Sequence, residues 1–118
     1  MKKIIFYSYL KCSTCRKAAN WLESKHFEFQ LIDIVKEPPL VNYLNLALEQ
    51  YSDDKKRIFN TIGKAFKTLN LDIDRLSKEE IIQLLLGDGK LIKRPFLIYE
   101  RKKVILGFNE NEYAKQFI

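Results

Sequence analysis

The run Lys3-Ile4-Ile5-Phe6-Tyr7 is almost wholly apolar and gives way to polar positions at Ser8 and Lys11. That is the pattern of a strand covered on both faces that exits into a loop. From Ser13 onward Cys15, Ala18, Ala19 and Leu22 recur at helical spacing, with Trp21 beside them and His26 near the end. The hydroxyls of Ser13 and Thr14 are placed to cap this helix, and His26 suits its C-terminus. Phe27 to Ile34 then alternates, Phe27, Phe29 and Leu31 against Glu28 and Gln30, which predicts a second strand.

Pro38-Pro39 breaks the chain and suits the first turn of a new helix, with Val41, Leu44, Leu48 and Tyr51 on one face and Ser52-Asp53-Asp54 as its end. A short helical stretch is predicted around Gly63 to Leu69. Another begins at Ser77, with Glu80 completing a capping box and Gly87 as a C-terminal stop. Phe96 to Tyr99 and Val104 to Leu106 read as a hairpin around the charged turn Glu100 to Lys103, and Asn109 with Glu112 caps a last helix through Tyr113 and Phe117. The order βαβ, helical insert, ββα predicts an α/β fold with a mixed sheet and helices packed on it.

Composition narrows the class. At 118 residues, 47% hydrophobic and 31% charged, with four Gly and three Pro, the chain suits one globular domain rather than a disordered or repetitive one. No apolar run approaches the roughly 18 to 20 residues of a membrane helix. The basic start Met1-Lys2-Lys3 leads into an apolar stretch without a small-residue cleavage site, so a strand and a cytoplasmic protein are expected rather than a secretory leader. The net charge is +6, but it divides evenly between the halves, and Lys55-Lys56-Arg57 and Arg101-Lys102-Lys103 read as solvated turns. Direct nucleic-acid binding is not expected, since no helix-turn-helix, RNP or zinc-finger pattern accompanies the charge.

The candidate chemistry lies in Cys12-Ser13-Thr14-Cys15, which holds both cysteines where the first loop enters the first helix. A thiol there meets unpaired backbone N–H groups and the positive end of the helix dipole, both of which favour thiolate. Arg16 and Lys17 add positive charge. The spacing allows Cys15 to form a disulfide with Cys12, making Cys12 the nucleophile and Cys15 the candidate resolving thiol. An inert buried thiol is an equal reading for Cys15. A zinc site is not expected, because His26 is the one further soft ligand where such sites use about four. C-x-x-C beside a βαβ pattern is a redox signal.

Three segments, Tyr9-Leu10-Lys11-Cys12-Ser13-Thr14-Cys15-Arg16-Lys17-Ala18, Lys93-Arg94-Pro95 and Leu106-Gly107-Phe108-Asn109-Glu110, resemble the family that joins glutaredoxin-linked arsenate reductases (ArsC) to Spx-type transcription regulators. The resemblance covers essentially the whole chain. It implies a single thioredoxin-like domain over 1–118 with a mixed four-stranded sheet, a helical insert at about 38–90 between strands 2 and 3, and the Arg94-Pro95 loop beside the cysteine loop with Pro95 in the cis form. It implies Cys12, Cys15 and Arg94 as catalytic residues, and Arg16, Asn60 and Pro95 as substrate-binding ones. A guanidinium suits the role of Arg94, because its rigid fork donates two hydrogen bonds to one oxyanion and stays charged.

The same resemblance implies an enzyme acting on a small oxyanion or thiol substrate, with no bound cofactor and with glutathione and glutaredoxin, or thioredoxin, as reductant. The alternative is a redox-sensing regulator that binds the RNA polymerase α subunit, and in either case a monomer. Departures from the family pattern weigh on both. Two further arginines of typical arsenate reductases are matched here by Asn60 and Gly107, and each lost charge-assisted hydrogen bond is worth about 1.5 to 3 kcal/mol. Lys64-Ala65-Phe66-Lys67-Thr68-Leu69-Asn70 is similar to a segment of the regulators. Their polymerase-contacting glycine is matched by Asp54, a basic position by Ile62, and their longer C-terminal tail has no expected counterpart after Ile118. The pattern as a whole looks like small relatives that carry C-x-x-C and Phe59-Asn60-Thr61-x-Gly63.

Overall fold

A computed structural model of the chain describes residues 3–118; Met1 and Lys2, part of the basic start, lie outside the described residues. Four strands, β1 (Ile4–Ser8), β2 (Gln30–Asp33), β3 (Phe96–Tyr99) and β4 (Lys103–Leu106), form one sheet in the order β2-β1-β3-β4. β1 pairs parallel with β2 and antiparallel with β3, and β3 pairs antiparallel with β4, so the sheet is mixed and the fold thioredoxin-like.

Two helical layers explain the unbroken apolar run of β1. Ile4 and Phe6 face one side with Leu97 and Ile105, packing against Ala18, Trp21, Leu22, Tyr113 and Phe117 from α1 (Ser13–Ser24) and α5 (Glu110–Phe117). Ile5 and Tyr7 face the other with Phe96, Ile98 and Val104, covered by α2 (Val41–Gln50), α3 (Lys64–Leu69), α4 (Lys78–Gly87) and the 3-10 turns of the insert. Period-two alternation is present, but both faces are dry.

The helix ends show the local chemistry. Ser77 and Glu80 form the predicted capping box, and Asn109 accepts from the backbone N–H of Glu112 at 3.1 Å. α1 ends in a Schellman motif: Phe27 N–H bonds the Leu22 carbonyl and His26 N–H that of Glu23, both at 3.0 Å, while Phe27 stacks on Trp21. His26 occupies the left-handed position with φ 63, so its backbone, beyond any charge, ends the helix. The Glu100–Arg101 turn also has two left-handed residues, φ 54 and 57, as a tight hairpin requires.

Several boundaries differ from the pattern. β2 spans only Gln30–Asp33 and leaves Leu31 exposed, because it is an edge strand whose preceding aromatics, Phe27 and Phe29, pack under α1 and α5 instead. Pro38 and Pro39 precede α2 rather than form its first turn, for Leu40 is the cap. Val41 is 44% exposed, and α2 buries Leu44, Ala47 and Leu48, since its contacts are with the insert and β4 rather than along the Val41 stripe. Gly87 is the last helical residue, with Asp88 as the cap in an extended conformation, so no left-handed glycine stops α4. No described helix is long and apolar enough to cross a membrane.

Candidate functional site: a cysteine-capped helix beside a cis-proline

β1 ends at Ser8, and the chain turns through Tyr9 to Lys11, closed by a hydrogen bond from Cys12 N–H to the Tyr9 carbonyl at 3.0 Å. Cys12, extended at φ −98 and ψ 114, is itself the N-cap of α1: its Sγ accepts the backbone N–H of Cys15 at 3.3 Å. The hydroxyls of Ser13 and Thr14 do not cap the helix, because both residues lie already inside its first turn. A thiolate does there what a serine hydroxyl does elsewhere, accepting a donor the helix leaves unpaired.

The two thiols sit in contrasting surroundings. Cys12 is half-buried, and burial alone works against its thiolate. The Cys15 thiol and backbone N–H, together with the charge and hydrogen bond of Arg94, outweigh that and hold Cys12 below the ordinary thiol value. Cys15 is buried, 1% exposed, and its thiol is pushed up to about 11 by burial first and by its hydrogen bond to Cys12 second, despite contacts with Tyr9 and Ser8 that act the other way. One thiol is prepared to ionise and the other to keep its proton.

Arg94 is positioned from the insert side. Its guanidinium lies 5.0 Å over the Tyr9 ring and donates to the Lys90 carbonyl at 3.4 Å, while the next bond, Arg94–Pro95, is cis. Pro95 is buried, and its carbonyl accepts from Gly107 N–H at 2.9 Å, which ties the loop before β3 to the exit of β4. Gly107 has φ +72, a conformation that favours glycine.

The structure thus brings Cys12, Cys15, Arg94 and Pro95 to one end of the sheet. Arg16 points elsewhere: its Nη1 donates to the Leu10 carbonyl at 2.8 Å, strapping the cysteine loop to α1. Asn60 lies in a short antiparallel pairing in which Lys93 N–H bonds Ile58, Phe59 bridges Ile92, and Asn60 N–H bonds Leu91 at 2.8 Å. Its side-chain amide fills the space above Gly63, where a Cβ would meet Nδ2 at 2.6 Å.

Two residues escape the sequence pattern. Tyr9 supports Arg94, a contact no local spacing announces. Tyr113 of α5 donates its hydroxyl to the Gly107 carbonyl at 2.9 Å, and its own proton is held tighter by burial and by the neighbouring charge of Cys15. Its signal is a tyrosine where the helix pattern asks only for an apolar group. Among the described residues no cluster of three or more His, Cys, Asp or Glu is arranged to hold a metal.

Comparison with known proteins agrees with this geometry. A model described as the ArsC family matches residues 7–116. The chain is 40% identical to YusI of Bacillus subtilis (strain 168), over 97% of this chain and 98% of YusI. It is 33% identical to the global transcriptional regulator Spx of Lactiplantibacillus plantarum, over 95% of this chain and 84% of Spx. A solved structure of a protein described as "a possible arsenate reductase" from Streptococcus mutans UA159 superposes with a TM-score of 0.87 and 37% identity, covering 97% of this chain and 98% of that one.

Proposed function

The chain belongs to the ArsC family, and on that premise we propose that it is a thiol oxidoreductase with Cys12 as nucleophile, Cys15 as resolving thiol and Arg94 as anion partner. One observation carries the reading: Cys12 Sγ caps α1 by accepting the Cys15 N–H at 3.3 Å while the Cys15 thiol is buried one helical turn on, an arrangement that, with Arg94 acting on the sulfur, lowers Cys12 and raises Cys15 to about 11. A structural pair of cysteines has no need of that asymmetry, whereas thiol exchange requires a thiolate that attacks and a second thiol that waits.

For an oxyanion such as arsenate, the Cys12 thiolate attacks arsenic, and one arsenate oxygen takes up protons and departs as water. A second thiolate, from Cys15 or from glutathione, then attacks the Cys12 sulfur. The sulfur–arsenic electron pair passes to arsenic, which leaves as arsenite, and the two sulfurs are left as a disulfide. Arsenic gains two electrons, the thiols lose two, and glutathione with glutaredoxin, or thioredoxin, returns them. Arg94 holds the oxyanion next to the thiolate, its fork free to donate after one N–H has gone to Lys90. A reducing cytoplasm suits the cycle.

The test is arsenate-dependent consumption of reducing equivalents by the purified protein, first with glutathione and glutaredoxin and then with thioredoxin. Turnover is expected to vanish in Cys12→Ser. In Cys15→Ser it survives if glutathione supplies the second thiol and vanishes if Cys15 does. Absence of turnover with every reductant would move the substrate from arsenate to protein or small-molecule disulfides, consistent with Asn60 and Gly107 standing where two arginines would clamp arsenate.

The likeness to Spx favours a second reading, a redox-controlled module that binds the RNA polymerase α subunit. Retention of the purified α C-terminal domain on immobilised protein, with the Cys12–Cys15 pair reduced or oxidised, supports it; failure in both states removes it. The charged Asp54 where the regulators have a contact glycine speaks against close backbone approach there.

A further inference from the structure

A buried tyrosine closes a circuit of contacts around the cysteine site. Tyr113 of α5 is 0% exposed, with its ring nearly perpendicular to that of Trp21 on α1, centroids 5.6 Å apart at 83°, and 4.8 Å from that of Phe108. Apolar packing accounts for the ring, and a phenylalanine would serve it equally well. The hydroxyl does something else: it leaves the helix and donates to the Gly107 carbonyl at 2.9 Å, in the segment that follows β4. Gly107 is buried as well, so solvent is a poor substitute for that donor.

The other side of Gly107 continues the chain of contacts. Its N–H donates to the Pro95 carbonyl at 2.9 Å, so α5 holds one peptide group of this residue and the loop before β3 is held by the other. Arg94 is bonded to Pro95 and acts on the Cys12 sulfur through its charge and a hydrogen bond. Cys12 in turn caps α1, the helix on which the Tyr113 ring rests. Tyr9 and the Lys90 carbonyl fix the guanidinium end of Arg94, at 5.0 and 3.4 Å, while Tyr113 acts through Gly107 and Pro95 on its backbone end. A guanidinium fork is directional, so the place where its backbone is anchored governs how much it does for a sulfur.

We propose that Tyr113 is a positioning residue for the thiolate: by tying Gly107 to α5 it holds the Arg94–Pro95 segment at the distance from α1 at which Arg94 stabilises the Cys12 anion. The proposal rests on the thiol reading above and adds to it a residue that acts on Cys12 only through Arg94. Tyr113 keeps its proton in this role, since burial and the nearby charge of Cys15 both work against its ionisation, and its hydroxyl therefore stays a donor while Cys12 titrates.

Tyr113→Phe keeps the ring and removes the donor. In iodoacetamide alkylation of Cys12 followed against pH, this exchange should raise the midpoint and slow the reaction at neutral pH several-fold, in the same direction as Arg94→Gln. On an Arg94→Gln background it should change neither, because the group through which Tyr113 acts is gone. Ser77→Ala removes the α4 capping box, lowers stability without touching the circuit, and should leave the midpoint where it is. An unmoved midpoint in Tyr113→Phe, an equal rise with and without Arg94, or a matching rise in Ser77→Ala would each overturn the proposal. A second measurement needs no change at Tyr113: the Gly107 backbone amide shift should follow the alkylation midpoint of Cys12 in the unaltered protein and lose that response in Arg94→Gln. A Gly107 amide that is flat in the unaltered protein, or that responds equally in Arg94→Gln, would overturn it too. An alkylation midpoint at the ordinary 9.0 in the unaltered protein would instead sink the thiol reading itself, and with no stabilised thiolate the positioning role falls with it.

Discussion

A capping serine can be exchanged for alanine at a cost to its helix alone, but a capping cysteine ties helix geometry to proton affinity. Because Cys12 Sγ accepts from Cys15 N–H and interacts with Arg94, anything that stabilises this first turn also stabilises the thiolate. Iodoacetamide alkylation of Cys12 followed against pH should show a midpoint below the ordinary 9.0 of a free thiol. Arg94→Gln removes a charge and a hydrogen bond, so the midpoint should rise and the rate at neutral pH fall several-fold; Arg94→Lys, which keeps the charge and loses the fork, should recover part of it. An unchanged midpoint in Arg94→Gln would show that Arg94 does not act on the sulfur. The placement of Cys12 at the start of α1 is legible in the sequence, since the polar loop and the helical spacing from Ser13 put C-x-x-C at the loop-to-helix junction. That Cys12 rather than Ser13 or Thr14 is the cap is not, because a cap is defined by the residue at which the backbone turns helical, and composition leaves three adjacent candidates. His26 offers a second case. Its left-handed backbone is imposed by the Schellman turn, so His26→Gly should raise stability by about 1 kcal/mol in urea unfolding, the usual strain of a side chain in that conformation.

Elements that repeat are readable, and elements that depend on a distant partner are not. The capping box at Ser77, the hairpin and the Asn109 cap are all set within four or five residues, and each stands where the pattern puts it. β2 is shorter than its alternation suggests because the period in Phe27 to Ile34 reports two aromatics that pack under α1 and α5, not a continuous pairing with β1. Gln50 illustrates the same limit. At the last turn of α2 its side chain donates to the Val104 carbonyl at 2.9 Å and accepts from the Val104 N–H at 2.7 Å, behaving as a further strand on the free edge of β4. Nothing in the sequence around Gln50 predicts a contact 54 positions away. It joins the insert to the sheet and covers an edge that would otherwise offer unpaired backbone groups. Gln50→Ala should cost about 1 to 2 kcal/mol with an unchanged denaturant slope, and Gln50→Glu, which sets an anionic acceptor against the Val104 carbonyl where the amide donated, should cost at least as much at neutral pH. No loss in Gln50→Ala would mean that water satisfies Val104 equally well.

At the scale of the whole molecule, the sheet separates two apolar layers and gathers its chemistry at one end, where the loops after β1 and β4 and before β3 meet. That arrangement couples global stability to the two thiols with opposite signs. For Cys12, whose folded state favours the thiolate, the contribution is present above 9.0 and is lost as pH falls through the lower folded value. For Cys15 the folded state keeps its proton up to about 11 while the unfolded chain releases it near 9.0, so its contribution is present below 9.0 and disappears as pH rises towards about 11. Tyr7, Tyr51 and Tyr113 are raised as well and also weaken the fold in alkaline solution, so a falling profile alone would not single out the thiol. The difference between proteins does. Measured by urea unfolding under reducing conditions, the decline in stability between about pH 9 and 11 should be shallower in Cys15→Ala than in the unaltered chain, since the substitution removes both the thiol's own proton release and its part in raising Tyr113, while the burial of the tyrosines is common to both. Parallel declines would mean that Cys15 ionises in the folded protein as readily as in the unfolded one, and a thiol that does so has no reason to wait for Cys12 to react first.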